Sequence, residues 1–222
     1  RTAKMYAPYC DVPSSGLFVS HALHDDLDDW IEAVVKGGFA PVVHAIGDEA
    51  VGLSLKLLHR ISSQCIARIE HAQFIDERDS KFLRGQWFGV QPLHKESDDA
   101  IAVQAVGPKR ARRLHDWRAM LDAGANLSFG SDWPIAPHQP IDAMAIAIKS
   151  GLSPKEALVA TTVDAAKSLC EPKAGILRIG SFADATVLSC NPFECNWDVE
   201  TPRVTMTIVG GVIQFNEEQT NA

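Results

Sequence analysis

The chain has 222 residues, 46% of them hydrophobic, enough to bury a sizeable core in one large domain or in a domain with an appendage. A net charge of −7 with scattered basic residues excludes a broad basic surface for nucleic acid or anionic lipid, and no apolar run approaches the ~18 residues of a membrane span. Five cysteines, odd in number and without a Cys-x-x-Cys spacing, speak against a disulfide framework and for a reducing, cytoplasmic setting, although a chain that begins at Arg1 leaves room for an upstream segment.

Residues 1–22 read as irregular, with Pro8, Pro13 and Gly16 as breakers. A helix is predicted over 24–36. Leu27, Trp30, Ile31, Val34 and Val35 recur at helical spacing, Asp25, Asp26, Asp28 and Asp29 lie near its positive end, and Gly37-Gly38 stops it. A strand over 40–43 follows, then a helix after Asp48 with Val51, Leu55 and Leu58 on one face, where Asp48 reads as its N-cap. Strands over 66–70 and 87–90 flank a helix over 77–84. A further helix is expected over 109–123, with Lys109, Arg110, Arg112 and Arg113 on its wet face, and then a strand over 126–129. After Gly130-Ser-Asp-Trp-Pro134 come a helix over 140–149 and another that opens with Ser153, Pro154 and Glu156 as a capping box and runs to about 169. The runs 183–189, 203–209 and 212–215 are short, β-rich and separated by Gly and Pro, which suggests a small separate sheet.

This order is that of βα units on a parallel sheet, and four polar residues stand at the ends of its four apolar runs: His44, His71, Gln91 and Asp132. In a (β/α) barrel the C-terminal strand ends converge on one catalytic face, so two histidines and an aspartate there suit a divalent metal. Four units between residues 40 and 150 take about 28 residues each, and a closed barrel needs on the order of 250 residues. The expectation is therefore an α/β chain containing the C-terminal half of a TIM-like barrel over 1–174 and a β-rich appendage over 175–222.

Six blocks in register carry a resemblance: Arg1-Thr-Ala-Lys-Met-Tyr-Ala-Pro-Tyr9, Val43-His-Ala-Ile-Gly-Asp-Glu-Ala-Val51, Arg68-Ile-Glu-His-Ala-Gln73, Gly89-Val-Gln-Pro-Leu-His94, Phe129-Gly-Ser-Asp-Trp-Pro134 and Gly180-Ser-Phe-Ala-Asp-Ala185. Together they resemble the C-terminal half of family 3 amidohydrolases. The resemblance implies a distorted metal-dependent (β/α)8 barrel with a small β-sandwich, hydrolysing C–N bonds of non-peptide amides, ureas or related groups with one or two divalent ions, zinc by preference. It matches His44 and His71 to ligands on strands five and six, and Asp132 to the aspartate of strand eight. The chain departs from the pattern in lacking the strand-one His-x-His and the strand-four lysine.

The expected chemistry follows from those ligand types. A divalent ion brings bound water from a pKa of 15.7 to about 7, and a carboxylate beside it passes the proton to the leaving nitrogen, the role assigned to Asp132. Gln91 and His94 are candidate substrate contacts. Arg68 and Glu70 form a candidate structural ion pair, Trp133 a packing wedge, and His21, His24, His59, His115 and His138 surface or packing residues. No Gly-x-Ser-x-Gly elbow occurs, which leaves nucleophilic hydrolysis without support. The expected partner is a small-molecule substrate, with neither nucleic acid nor membrane, and association into a homo-oligomer through exposed half-barrel edges. The alternative is a catalytically incompetent truncated or interaction protein of the same fold; three candidate ligands, His44, His71 and Asp132, at three strand ends favour descent from an active enzyme.

Overall fold

The computed structural model describes residues 1–19 and 26–220. His21, His24 and Asp25, and the start of the first expected helix, lie outside them. The elements, in chain order, are α1 (Leu27–Lys36), β1 (Val42–Ala45), α2 (Asp48–His59), β2 (Arg68–His71), a 3-10 turn (Glu77–Phe82), β3 (Trp87–Val90), α3 (His94–Ala111), α4 (Trp117–Asp122), β4 (Asn126–Phe129), α5 (Pro140–Lys149), α6 (Pro154–Thr161), α7 (Val163–Ser168), β5 (Ala185–Leu188), β6 (Val204–Val209), β7 (Val212–Asn216) and α8 (Glu217–Thr220).

Strands β1 to β4 form one parallel sheet in sequence order, with His44, Glu70, Gly89 and Ser128 abreast in a single row across it. Strand alternation divides the sheet into two faces. One carries Ile69, Phe88, Val90 and Leu127, almost wholly buried against Val51, Leu55 and Leu58 of α2 and Trp117 and Met120 of α4. The other carries Arg68 and Glu70, which pair through Arg68 Nε and Glu70 Oε1 as expected, while Arg68 Nη1 also donates to the Ser168 carbonyl at 3.0 Å. The Glu70 carboxylate lies over Gly89, where a Cβ would overlap it. Strands β5 to β7 make a separate antiparallel sheet.

Several expectations are corrected. His44 lies inside β1 rather than beyond it, because the strand starts two residues later than its apolar run. Residues 77–82 form a 3-10 turn, capped by the Asp76 side chain accepting from the Arg78 amide. The helix expected over 109–123 is instead the end of α3, which begins at His94, and a separate α4 capped by Asp116. Gly107 has φ of +77°, and Pro108 beside it has no N–H to continue the ladder, so α3 kinks there. The basic run is not simply wet: Arg110 donates to the Ala7 and Pro8 carbonyls, and Arg113 pairs with Asp76 and Glu77. Gly47, not Asp48, occupies the cap of α2; Asp48 instead accepts from the Tyr6 amide at 2.8 Å, holding the N-terminal segment to the helix. The Ser153–Glu156 capping box forms as read, but Thr162, at φ −119° and ψ −83°, breaks the following helix into α6 and α7. Cys190 and Cys195 are disulfide-paired, whereas Cys10, Cys65 and Cys170 are free.

Candidate metal centre

His71 closes β2 with φ of +72°, and Ala72 follows at +46°. Left-handed conformation is uncommon for residues with a Cβ, and the pair turns the chain sharply at the strand's C-terminal end. His94 stands just beyond β3, as the first residue of α3, its amide donating to the Gln91 carbonyl at 3.1 Å. Asp132 follows β4 in the loop before Trp133-Pro134, also with positive φ, at +56°. Three consecutive strand exits thus deliver two imidazoles and a carboxylate to one place. One donor atom from each of His71, His94 and Asp132 lies within 4.8 Å of the others, and His94 Nε2 is 4.0 Å from Asp132 Oδ2.

Both imidazoles are buried, with His71 and His94 each 8% exposed, and His71 Nδ1 and His94 Nε2 have no hydrogen-bond partner. An unsatisfied buried polar atom costs about 1–3 kcal/mol, so two at one spot are poorly explained as packing alone. Burial, then the neighbouring His44, pushes the His71 pKa down, keeping the ring neutral with a lone pair free for ligation. Asp132 is exposed and can face an incoming ligand. Neutral imidazole with carboxylate is a donor set that fits zinc and related divalent ions.

His44 is exposed on β1 and packs edge-on to His71, with ring centroids 4.4 Å apart. It lies beside the three-donor cluster rather than within it, while His94, read from sequence as a substrate contact, lies inside. Gln91 is buried, and its amide nitrogen donates to the Gly89 carbonyl at 3.0 Å and lies 3.5 Å from Glu70 Oε2. A cavity of about 150 Å³ has Leu93, Phe129, Ser131, Pro140 and Ala143 in its wall; Leu93 and Ser131 directly precede His94 and Asp132 in the chain, but no residue of the cluster itself lines it. Among the remaining histidines, His59 packs on Phe82 and His138 on Trp133.

The sequence reading missed Asp98, Gln73 and the burial of His115. Asp98 Oδ2 accepts from Gln73 Nε2 at 2.7 Å and lies 3.4 Å from His115 Nε2. The available signal was the four-residue spacing of His94 and Asp98, which places both on one helical face, but only once α3 is known to start at His94.

The amidohydrolase family model matches residues 1–215. The chain belongs to the amidohydrolase family. It is 30% identical, over 95% of its length, to Protein LONG AFTER FAR-RED 3 of Arabidopsis thaliana and 28% identical, over 98%, to the putative amidohydrolase YtcJ of Bacillus subtilis (strain 168). It spans 40% and 45% of the length of those relatives. Two crystal structures described as uncharacterized metal-dependent hydrolases are similar to this amidohydrolase chain. The Pyrococcus furiosus protein matches with TM-score 0.77 and 29% identity, over 87% of this chain and 42% of its own. The Pyrococcus horikoshii OT3 protein matches with TM-score 0.78 and 26% identity, over 90% of this chain and 44% of its own. Among the described residues, no helix is long and apolar enough to cross a membrane.

Proposed function

We propose that this chain supplies half of the barrel, and part of the metal site, of a hydrolase cleaving C–N bonds of non-peptide amides or related small molecules. The observation that carries the reading is the convergence of His71, His94 and Asp132 with two buried, unpartnered imidazole nitrogens among them. In this reading residues 1–174 are the C-terminal half of a (β/α)8 barrel, and 175–222 belong to a small sandwich. The outer edges of β1 and β4, which no strand pairs among the described residues, are covered by association with further barrel strands or another copy.

His71, His94 and Asp132 would hold the ion, with His44, packed against His71, as the nearest further imidazole, and zinc is the ion the donor set suits best. A divalent ion bound there supplies Lewis acidity and brings the pKa of water from 15.7 to about 7. Asp132 takes the proton from the attacking water and returns it to the departing nitrogen, a role its exposed carboxylate permits and one worth roughly 10²–10⁴ in rate. Gln91 and the cavity beside Ser131 face the substrate side.

The test is Asp132→Asn in the intact enzyme. It keeps a weaker oxygen donor but removes the base, so at saturating metal turnover falls by about 10² or more while KM changes little. Near-normal turnover at neutral pH would remove Asp132 from the acid–base role.

A further inference from the structure

Asp98 lies one turn along α3 from His94, so both side chains share a helical face. Its Oδ2 accepts a 2.7 Å hydrogen bond from Gln73 Nε2 and sits 3.4 Å from His115 Nε2. Gln73 is the second residue beyond His71, in the segment turned by the left-handed backbone of His71 and Ala72. The triangle closes on itself, because the Gln73 carbonyl accepts from the His115 amide at 3.0 Å. His115 is 4% exposed and stands in the turn between α3 and α4 with φ of +54°. One carboxylate therefore joins three segments: the exit of β2, the first turns of α3 and the approach to α4.

We propose that Asp98 is a positioning residue that fixes the His94 imidazole relative to His71, by tying the helix that begins at His94 to the strand exit that follows His71. The two rings stack with centroids 6.0 Å apart and planes 21° from parallel, yet nothing bonds one ring to the other. Their spacing is held from behind, and Asp98 is the side chain that bridges their two supports. The consequence for metal binding rests on the metal reading above; the geometry does not. Burial opposes the charge on Asp98, but the hydrogen bond and charge of His115, with His94 nearby, hold its pKa below the usual carboxylate range. An ionised acceptor gives the stronger form of both contacts.

The experiment compares Asp98→Ala, Asp98→Asn and, as a control, Asp99→Ala, whose carboxylate pairs with Lys95. Two readouts are taken: the ring-nitrogen NMR shifts of His71 and His94 in the metal-free chain, and Co²⁺ affinity with its visible spectrum. Asp98→Ala should displace both histidines' ring shifts and weaken Co²⁺ binding about tenfold or more, the usual cost of losing a group that orients a ligand. Asp98→Asn, which keeps an acceptor for Gln73, should recover part of the affinity, and Asp99→Ala should match the wild type. If Asp98→Ala does not fold, Gln73→Ala breaks one side of the triangle and is held to the same shifts. Unchanged ring shifts and Co²⁺ affinity in a folded Asp98 or Gln73 variant, even with a lowered melting temperature, would overturn the proposal. If the wild type takes up no Co²⁺, the metal reading fails by itself, and the ring shifts still decide the role of Asp98.

Discussion

His71 and His94 leave neighbouring parallel strands and stack ring over ring at 6.0 Å, each with a buried nitrogen that no group of the described protein satisfies. Two such nitrogens beside the Asp132 carboxylate make metal-linked stability a direct expectation. Anything that binds the folded but not the unfolded chain stabilises it by mass action, about 2.7 kcal/mol at a hundredfold excess over Kd. Zn²⁺ should therefore raise the melting temperature of the wild type, and a chelator should reverse the gain. In His71→Asn and Asp132→Asn the increment should shrink; an equal increment in all three proteins would place the ion elsewhere.

Glu156 gives a pH-dependent prediction away from the site. It accepts from the Ser153 amide at 2.8 Å and from Arg118 Nη1 at 2.8 Å, and these contacts lower its pKa from 4.5 to about 2. A depressed carboxylate pKa stabilises the fold above the unfolded-state value, and that contribution is lost as pH falls from about 4.5 towards 2. Glu156→Gln should cost about 1 kcal/mol or less at pH 7, since both partners are partly solvated. Thermal melts should show the difference from wild type closing as pH approaches 2; a difference that widens on acidification would contradict the assignment.

Gly89 tests the row of residues across the sheet. A Cβ there meets the Glu70 carboxylate, itself held by Arg68, so Gly89→Ala should destabilise the fold by about 1–3 kcal/mol as an overpacking change. Combining it with Glu70→Ala should recover part of that loss, and a double-mutant cycle in urea measures the coupling. Strict additivity of the two changes would mean the carboxylate is free to move aside.

The helix-facing side of the sheet should behave as close-packed core. Ile69 and Leu55 are fully buried, and replacing either with Ala should cost about 2–5 kcal/mol in denaturant unfolding. A loss under 1 kcal/mol at both would mean the sheet and α2 do not pack as described.

Those strands were legible because short apolar runs ending in a polar residue mark them without reference to the rest of the chain, and His71 and Asp132 fell where the runs stopped. His44 falls inside its strand rather than beyond it, since the apolar run and the hydrogen-bonded ladder start at different residues. The first turns of α3 were not legible. Lys95, Glu96, Ser97, Asp98 and Asp99 give no apolar stripe, and the strong signal after Pro108 drew the expected helix towards 109. From local pattern alone His94 reads as a loop residue, and Asp98 has no helix on which to face it. Contacts such as Asp48 with the Tyr6 amide and Arg113 with Asp76 depend on tertiary placement that local periodicity does not carry.

Zn²⁺ affinity, measured by competition with a chromophoric chelator, decides whether His71, His94 and Asp132 form part of a metal site. The wild-type chain should bind Zn²⁺ saturably, with His71→Asn, His94→Asn and Asp132→Asn each weakening binding about tenfold or more, while His59→Asn, at a ring packed on Phe82, leaves it unchanged. Equal affinity in the wild type and all three site variants would mean that these residues hold no ion.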